Sequence, residues 1–297
     1  MIQNINWYPG HMKKTRELIQ ENLKMVDAVV EVVDARIPVS SRNPIIDELI
    51  SRKPRIIALN KSDLADAKAN KAWAQFFRAK ALETVIMNCN SGEGTKEIFQ
   101  KLAELDKKRT GSAAARPFRL MIVGVPNVGK SSLINRMTGK KSTQTGNKPG
   151  VTKGKQWLRL ENGMQLLDTP GILWPKFEDP EVGLNLAFCG SIKDEILDVP
   201  ELAMELIAYL SEQYPELLQE RYKLDCLYEE GEESPETGWP METRQEIALA
   251  NMHDMAIKRG CILPGKRIDY ERIGKLVLDE FRGGKIGRIT LELPAEE

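Results

Sequence analysis

Residues 124–131 read Gly-Val-Pro-Asn-Val-Gly-Lys-Ser. At this spacing two glycines let backbone N–H groups close around a phosphate while a lysine and a hydroxyl follow at the head of a helix. Lys130 then reaches the β and γ phosphates and Ser131 ligates Mg²⁺, with Asn127, Val128, Gly129 and Ser132 completing the cradle. The surroundings suit the motif, because an apolar run (118–126) precedes it and the helix-like Ser131-Ser-Leu-Ile-Asn-Arg-Met137 follows.

Two further segments carry complementary chemistry. Asp168-Thr-Pro-Gly171 closes an apolar segment, where a carboxylate can hold Mg²⁺ through water and the Gly171 N–H can sense a γ phosphate. Asn60-Lys61-Ser62-Asp63 closes another, and the Asp63 carboxylate can accept from N1–H and the 2-amino group of guanine, a donor pair that adenine lacks. Asn88-Cys89-Asn90-Ser91, after the next apolar run, stands where a second base-contacting loop belongs. Between phosphate loop and Asp168, Thr152 offers a switch hydroxyl to Mg²⁺ and the γ phosphate, with Thr143 and Thr145 as competitors. The chemistry these residues imply is binding and hydrolysis of GTP.

Elements must bring these segments together. Nearly continuous apolar runs at 26–36, 54–63, 84–89 and 118–126 read as buried parallel strands, and helix-like stretches at 44–51, 70–82 and 95–108 alternate with them. The alternation predicts an α/β fold with a doubly wound sheet. Residues 155–168 read as a hairpin turned through Glu161-Asn162-Gly163, and 107–117 as an exposed linker. From about 180 onward helical periodicity prevails, at 200–214, 241–259 and 268–281. The division expected is therefore a nucleotide domain over 1–178 and a smaller helical domain over 179–297.

Composition narrows the classes. The 297 residues are 41% hydrophobic and 29% charged, as in folded soluble domains, and no stretch has the apolar length of a membrane span. The amino terminus lacks the apolar core of a secretory signal, so a cytoplasmic location is expected. Cys89, Cys189, Cys226 and Cys261 are too scattered for a zinc site or a disulfide framework. Lys and Arg (43) balance Asp and Glu (43), which argues against a simple coat for nucleic acid, yet the charge is segregated. Residues 136–160 hold seven basic and no acidic residues, and 192–242 are mainly acidic. Residues 258–288 hold nine basic and four acidic residues among several glycines, with Lys266, Arg267 and Lys285 as candidate RNA contacts.

The motif order is unusual. In a Ras-like domain the phosphate loop comes first, but here Asn60–Asp63 precedes it, as if the usual ends were joined and the chain cut after Asp168–Gly171. Such a cut leaves the sheet intact and makes the Gly171 switch lead directly into the helical domain. This order, together with Trp7-Tyr-Pro-Gly-His11-Met, Asp34-Ala-Arg36-Ile-Pro-Val-Ser-Ser-Arg42-Asn-Pro44, Arg259-Gly-Cys261 and Phe281-Arg-Gly-Gly-Lys-Ile-Gly287, resembles the RbgA (YlqF) family over nearly the whole chain. That family comprises circularly permuted GTPases of bacterial ribosome assembly. The resemblance implies a Ras-like P-loop GTPase fold, circularly permuted, and the large ribosomal subunit as partner, with late subunit assembly as the task. The family loop at 88–91 usually reads Ser-Ala or similar, and Asn88-Cys89 departs from it. Asn127 resembles the residue by which cation-activated GTPases hold K⁺ beside the phosphates. A nucleotide-gated switch in translation or transfer-RNA metabolism is the alternative expectation.

A catalytic gap remains. Where Ras-like enzymes place a water-orienting Gln, the residue is Ile172, which cannot polarise water. The sequence has two histidines. His253 fits helical packing, whereas His11 either caps the following helix or orients the attacking water, with Lys130 and Thr152 as its catalytic companions. Trp7 and Tyr8 suit RNA stacking or a core equally.

Overall fold

The computed structural model describes residues 17, 19–50, 53–111, 114–139, 157–160, 162–167 and 179–294. Two compact units divide the chain, Met1–Asn185 with Thr290–Glu297, and Leu186–Ile289.

The first unit is built on a six-stranded sheet. Its strands are β1 (Ala28–Asp34), β2 (Arg55–Asn60), β3 (Glu83–Ile86), β4 (Arg119–Val123), β5 (Trp157–Arg159) and β6 (Gln165–Leu167). Their spatial order is β3-β2-β1-β4-β6-β5, parallel except for the antiparallel β5–β6 pair. Strand β1, Ala-Val-Val-Glu-Val-Val-Asp, is buried throughout, as a parallel strand covered on both faces must be. Around the sheet run α1 (Pro44–Ile50), α2 (Ala67–Ala79), α3 (Thr95–Lys107) and α4 (Lys130–Thr138). Counting from β4 through β6 and then from β1 to β3 turns the spatial order into 6-5-4-1-3-2. The phosphate-loop strand is then central, with its successors on one side and the remaining strands on the other. This is the Ras-like sheet with its chain circularly permuted.

Local physics sets the ends of these elements. Helix α2 begins three residues before the expected 70, because the Asp66 carboxylate accepts from the N–H groups of Lys68 (2.7 Å) and Ala69 (2.8 Å). The strands stop short of the apolar runs because their last residues turn into loops. At the β5–β6 turn Gly163 takes φ +84°, and the Asn162 side chain accepts from the Met164 N–H at 3.2 Å.

The second unit is helical. It contains α6 (Val199–Gln213), α7 (Pro215–Tyr222), α8 (Arg244–Arg259) and α9 (Tyr270–Arg282); α5 (Pro180–Phe188) carries the chain into it. Helix α6 packs on both α8 and α9, burying Leu202, Leu206, Met252, Met255, Ile273 and Val277. A capping box between Thr243 and Glu246 opens α8, and the Asp269 side chain opens α9. Glu280 accepts from Arg221 (Nε, 2.9 Å) and Arg259 (Nη2, 3.4 Å). Burial raises its carboxyl pKa, but these partners outweigh that and leave it below the ordinary value.

The expected division needs correction at both ends. The helical unit begins at 186 and not 179, and it closes at 289, so residues 290–294 return to the nucleotide unit. The return is made of specific bonds. Leu291 N–H donates to the Arg36 carbonyl (2.8 Å), Asp66 N–H donates to Thr290 Oγ1 (3.0 Å), and Trp73 Nε1 donates to the Glu292 carbonyl (2.7 Å). The Glu292 carboxylate accepts from Val39 N–H (2.5 Å), Ser40 N–H (2.9 Å), the Ser40 hydroxyl and Asn185 Nδ2 (3.2 Å). Burial outweighs these bonds and holds the Glu292 carboxyl above its ordinary pKa. No helix among the described residues is long and apolar enough to cross a membrane.

Candidate active site

Because β1, β2, β3 and β4 are parallel, the loops that leave their carboxyl ends emerge at one end of the sheet. Open α/β sheets bind ligands there, where chain order reverses, and the reversal lies at the β1–β4 pair.

The loop from Gly124 to Gly129 joins β4 to α4. Asn127 (φ +62°) and Gly129 (φ +102°) both take left-handed backbone, which turns successive N–H groups inward as an anion-binding concavity. A Cβ at Gly129 would lie 2.2 Å from Asn60 Nδ2, so any side chain there would have to displace Asn60. Lys130 Nζ donates to the Val125 carbonyl (2.6 Å), and Ser131 and Ser132 follow, half-buried, in the first turn of α4.

Asn60 ends β2 and is buried. Its Nδ2 donates to the Val128 carbonyl at 2.7 Å, and its Oδ1 accepts from the Cys89 N–H at 2.9 Å. One amide therefore ties the phosphate loop, the 60–63 turn and the 88–91 loop together. Lys61 has φ +61° and places Nζ 2.8 Å from Asp34 Oδ2, and Asp63 is exposed two residues on. In the third loop Asn88 Oδ1 accepts from Asn90 N–H (2.8 Å) and Ser91 N–H (3.3 Å). Arg136 of α4 donates to the Cys89 and Asn90 carbonyls. At 88–89, where the family usually reads Ser-Ala, the loop is held by the Asn88 side chain and by the Arg136 guanidinium on backbone carbonyls. Burial pushes the Cys89 thiol up to about 12, so it is a neutral packing group.

The structure brings together Asn60, Lys61, Asp63, Asn88, Cys89, Asn127, Val128, Gly129, Lys130, Ser131 and Ser132 at the strand ends. His11, Thr152, Asp168, Gly171 and Ile172 lie outside the described residues, as do Trp7 and Tyr8. His253 lies within α8, with Nδ1 3.0 Å from Asp254 Oδ1. Lys266 and Arg267 are exposed on the loop between α8 and α9, which is closed by the Leu263 N–H to Arg267 carbonyl bond (2.7 Å). Lys285 lies past the other end of α9, about 20 Å away along a thirteen-residue helix. It shares a surface recess with Arg272 and Lys275. The three basic residues therefore mark the two ends of α9 and do not form one cluster.

Sequence reasoning missed two supports of the site. One is Asp34 with Arg36, both buried at the end of β1. The other is the returning segment, whose alternation Ile289-Thr-Leu-Glu-Leu293 is the signal of an extended, half-buried stretch.

Comparison with known proteins agrees with this geometry. Residues 119–226 match the family described as 50S ribosome-binding GTPase, a match that starts at β4 and leaves Asn60–Asp63 before it. Ribosome biogenesis GTPase A of Bacillus cereus is 45% identical, covering 98% of this chain and 95% of the relative. That of Priestia megaterium is 44% identical, covering 98% of each. The crystal structure of GNP-bound YlqF from T. maritima is 31% identical with a TM-score of 0.65, covering 96% of this chain and 100% of that one. Identity of this extent, over a permuted sheet with the loops at 60–63, 88–91 and 124–131 tied at one end, shows that the chain belongs to the ribosome biogenesis GTPase A family and is a GTP-hydrolysing enzyme.

Proposed function

We propose that the GTP-bound protein docks on an immature large ribosomal subunit in the cytoplasm, that docking stimulates hydrolysis, and that the GDP form leaves. The observation that carries this is the Asn60 bridge between Val128 and Cys89, which fixes the phosphate loop and the base loops as one unit. Support for the partner comes from the relatives named ribosome biogenesis GTPase A and from the exposed Lys266, Arg267 and Lys285 beyond the two ends of α9.

In this reading Val128, Gly129, Lys130, Ser131 and Ser132 hold the phosphates, and Asn60, Lys61, Asp63, Asn88 and Cys89 hold guanine. The side-chain-free cradle at Gly129 and the Ser131 hydroxyl at the head of α4 fit a phosphate with its metal. Mg²⁺, when bound, supplies positive charge against the phosphate oxygens. Ser131 and Thr152 would hold it directly and Asp168 through water, Asn127 would hold K⁺, Gly171 would sense the γ phosphate, and His11 would orient water.

The test is turnover with and without purified large subunits, paired with co-sedimentation in GTP, GDP and a non-hydrolysable analogue. Stimulation of at least about tenfold, with retention in the analogue and release in GDP, is expected. Absence of stimulation and of nucleotide-dependent sedimentation would overturn the proposal in favour of a switch acting elsewhere.

The RNA contacts make a second expectation. Combining Lys266→Asn, Arg267→Gln and Lys285→Gln should flatten the log–log salt dependence of subunit binding by roughly 2 to 3 units, since each phosphate contact releases about 0.7 to 0.9 of a counterion. Asn is chosen at 266 because that backbone has φ +61°. GTP affinity should not change. A triple variant with a wild-type salt slope would show that these ends of α9 do not meet RNA.

A further inference from the structure

Asp34 ends β1 beside Asn60, its register partner at the end of β2. The carboxylate is buried and nearly surrounded. Oδ1 accepts from the Arg36 N–H (3.1 Å) and Nε (3.0 Å), and Oδ2 accepts from Arg36 Nη2 (2.9 Å). Arg36 is itself 1% exposed. This fork alone compensates a buried carboxylate. Yet Oδ2 also lies 2.8 Å from Lys61 Nζ. Burial alone would raise the Asp34 pKa, and the two cations reverse this and hold it well below the carboxylate range, so the group is an anion throughout the physiological range.

The second cation needs its own explanation. The Lys61 side chain is only partly exposed, and Arg36 already compensates the carboxylate, so the pair is not needed to hold the charge of Asp34. Its backbone is in the left-handed region, an arrangement of about 1 to 3 kcal/mol for a non-glycine residue that persists only where surroundings impose it. The Lys61 carbonyl accepts from the Leu64 N–H at 2.9 Å, closing a turn that contains Asp63. The ion pair therefore pins the first residue of that turn to the neighbouring strand. The corner holding Asp34 is fixed in its turn, because Asp34 N–H donates to Ser41 Oγ (3.0 Å) and Ala35 N–H to the Asn60 carbonyl (2.8 Å).

We propose that Asp34 is a positioning residue for guanine selection, which uses Arg36 to fix its carboxylate and Lys61 to set the 61–64 turn from which Asp63 meets the base. The inference rests on the assignment of residues 60–63 to base recognition, and the experiment separates the two.

Full-length wild type, Asp34→Asn, Lys61→Met, the double variant, Lys61→Arg and Asp63→Asn are titrated with fluorescent GDP. Each is then competed with GTP, with inosine triphosphate, which lacks the 2-amino group, and with ATP. Asp34→Asn and Lys61→Met should each weaken GTP by about tenfold and bring GTP and inosine triphosphate closer together, because the turn presenting Asp63 loses its anchor. The double variant should be no weaker than the poorer single, the mark of residues acting through each other. Losses that add, or that fall equally on GTP, inosine triphosphate and ATP, would overturn the inference by showing a merely structural carboxylate. Lys61→Arg keeps a cation and leaves Asp34 untouched, so it carries the test if Asp34→Asn does not fold. Selectivity kept by Lys61→Arg and lost by Lys61→Met supports the ion pair, and equal selectivity in both removes it. Unchanged GTP affinity in Asp63→Asn would instead sink the base-recognition assignment itself.

Discussion

Gly129→Ala lowers the affinity for GTP and GDP alike by about two orders of magnitude, because the new methyl group has no place to go. At φ +102° an alanine is strained by about 1 to 3 kcal/mol. Its Cβ would also lie 2.2 Å from Asn60 Nδ2, well inside contact distance. Relief requires Asn60 to swing away, which removes its bonds to Val128 and Cys89 and leaves buried polar groups unpaired at about 1 to 3 kcal/mol each. Phosphate and base loops then lose their common anchor. Fluorescent-nucleotide titration measures the loss, and the melting temperature without nucleotide reports the share that falls on the fold. Wild-type affinity for both nucleotides would show that the loop yields elsewhere and that the Asn60 bridge is dispensable.

His11→Ala is expected to reduce subunit-stimulated turnover by about 10²-fold while nucleotide and subunit affinities stay within a few-fold, the usual worth of a positioned orienting group. The position after Gly171 is Ile172, whose side chain offers no hydrogen bond to water, and His11 is the residue proposed to supply one. In the described site the titratable side chain on the phosphate loop is Lys130, whose ammonium is committed to charge and not to water. Single-turnover phosphate release with saturating large subunits reads the effect, and co-sedimentation checks binding. Stimulated release at the wild-type rate would assign catalysis to backbone, cations and the ribosome. Loss of binding would make the segment a docking element and turn attention to Trp7 and Tyr8.

Much of this site was legible because its chemistry is local. The Gly124–Ser131 loop, Asn60–Asp63 and the alternating strands each declare themselves within a dozen residues, and their order alone revealed the permuted sheet. What escaped depends on residues far apart. Arg36 is buried against Asp34, and Glu31 is buried between Arg42 and Arg55 inside β1, and the run 26–36 names none of these partnerships. Burial of a charge is decided by its partner, and partners cannot be found by periodicity. The same holds for the domain boundary. Residues 290–292 follow the helical unit in sequence, and the hydrogen bonds to Arg36, Val39, Ser40, Asp66 and Trp73 assign them to the other unit. The 200–214 helix reading corresponds to α6 alone, and α7, which it did not include, starts at Pro215, which has no N–H to carry α6 onward but suits the first turn of a new helix.

The returning segment also fixes an order of events in time. A ribosome making this chain produces residues 290–292 only after all of 186–289, an interval of roughly 5 to 20 s at about 5 to 20 residues per second. During that interval the N–H groups of Val39, Ser40 and Asp66 lack the acceptors that Glu292 and Thr290 later provide. The nucleotide unit, although it is synthesised first, is therefore completed last. A nascent chain gains its finished nucleotide fold only once its helical unit has been made, so synthesis itself delays the braced form until both units exist.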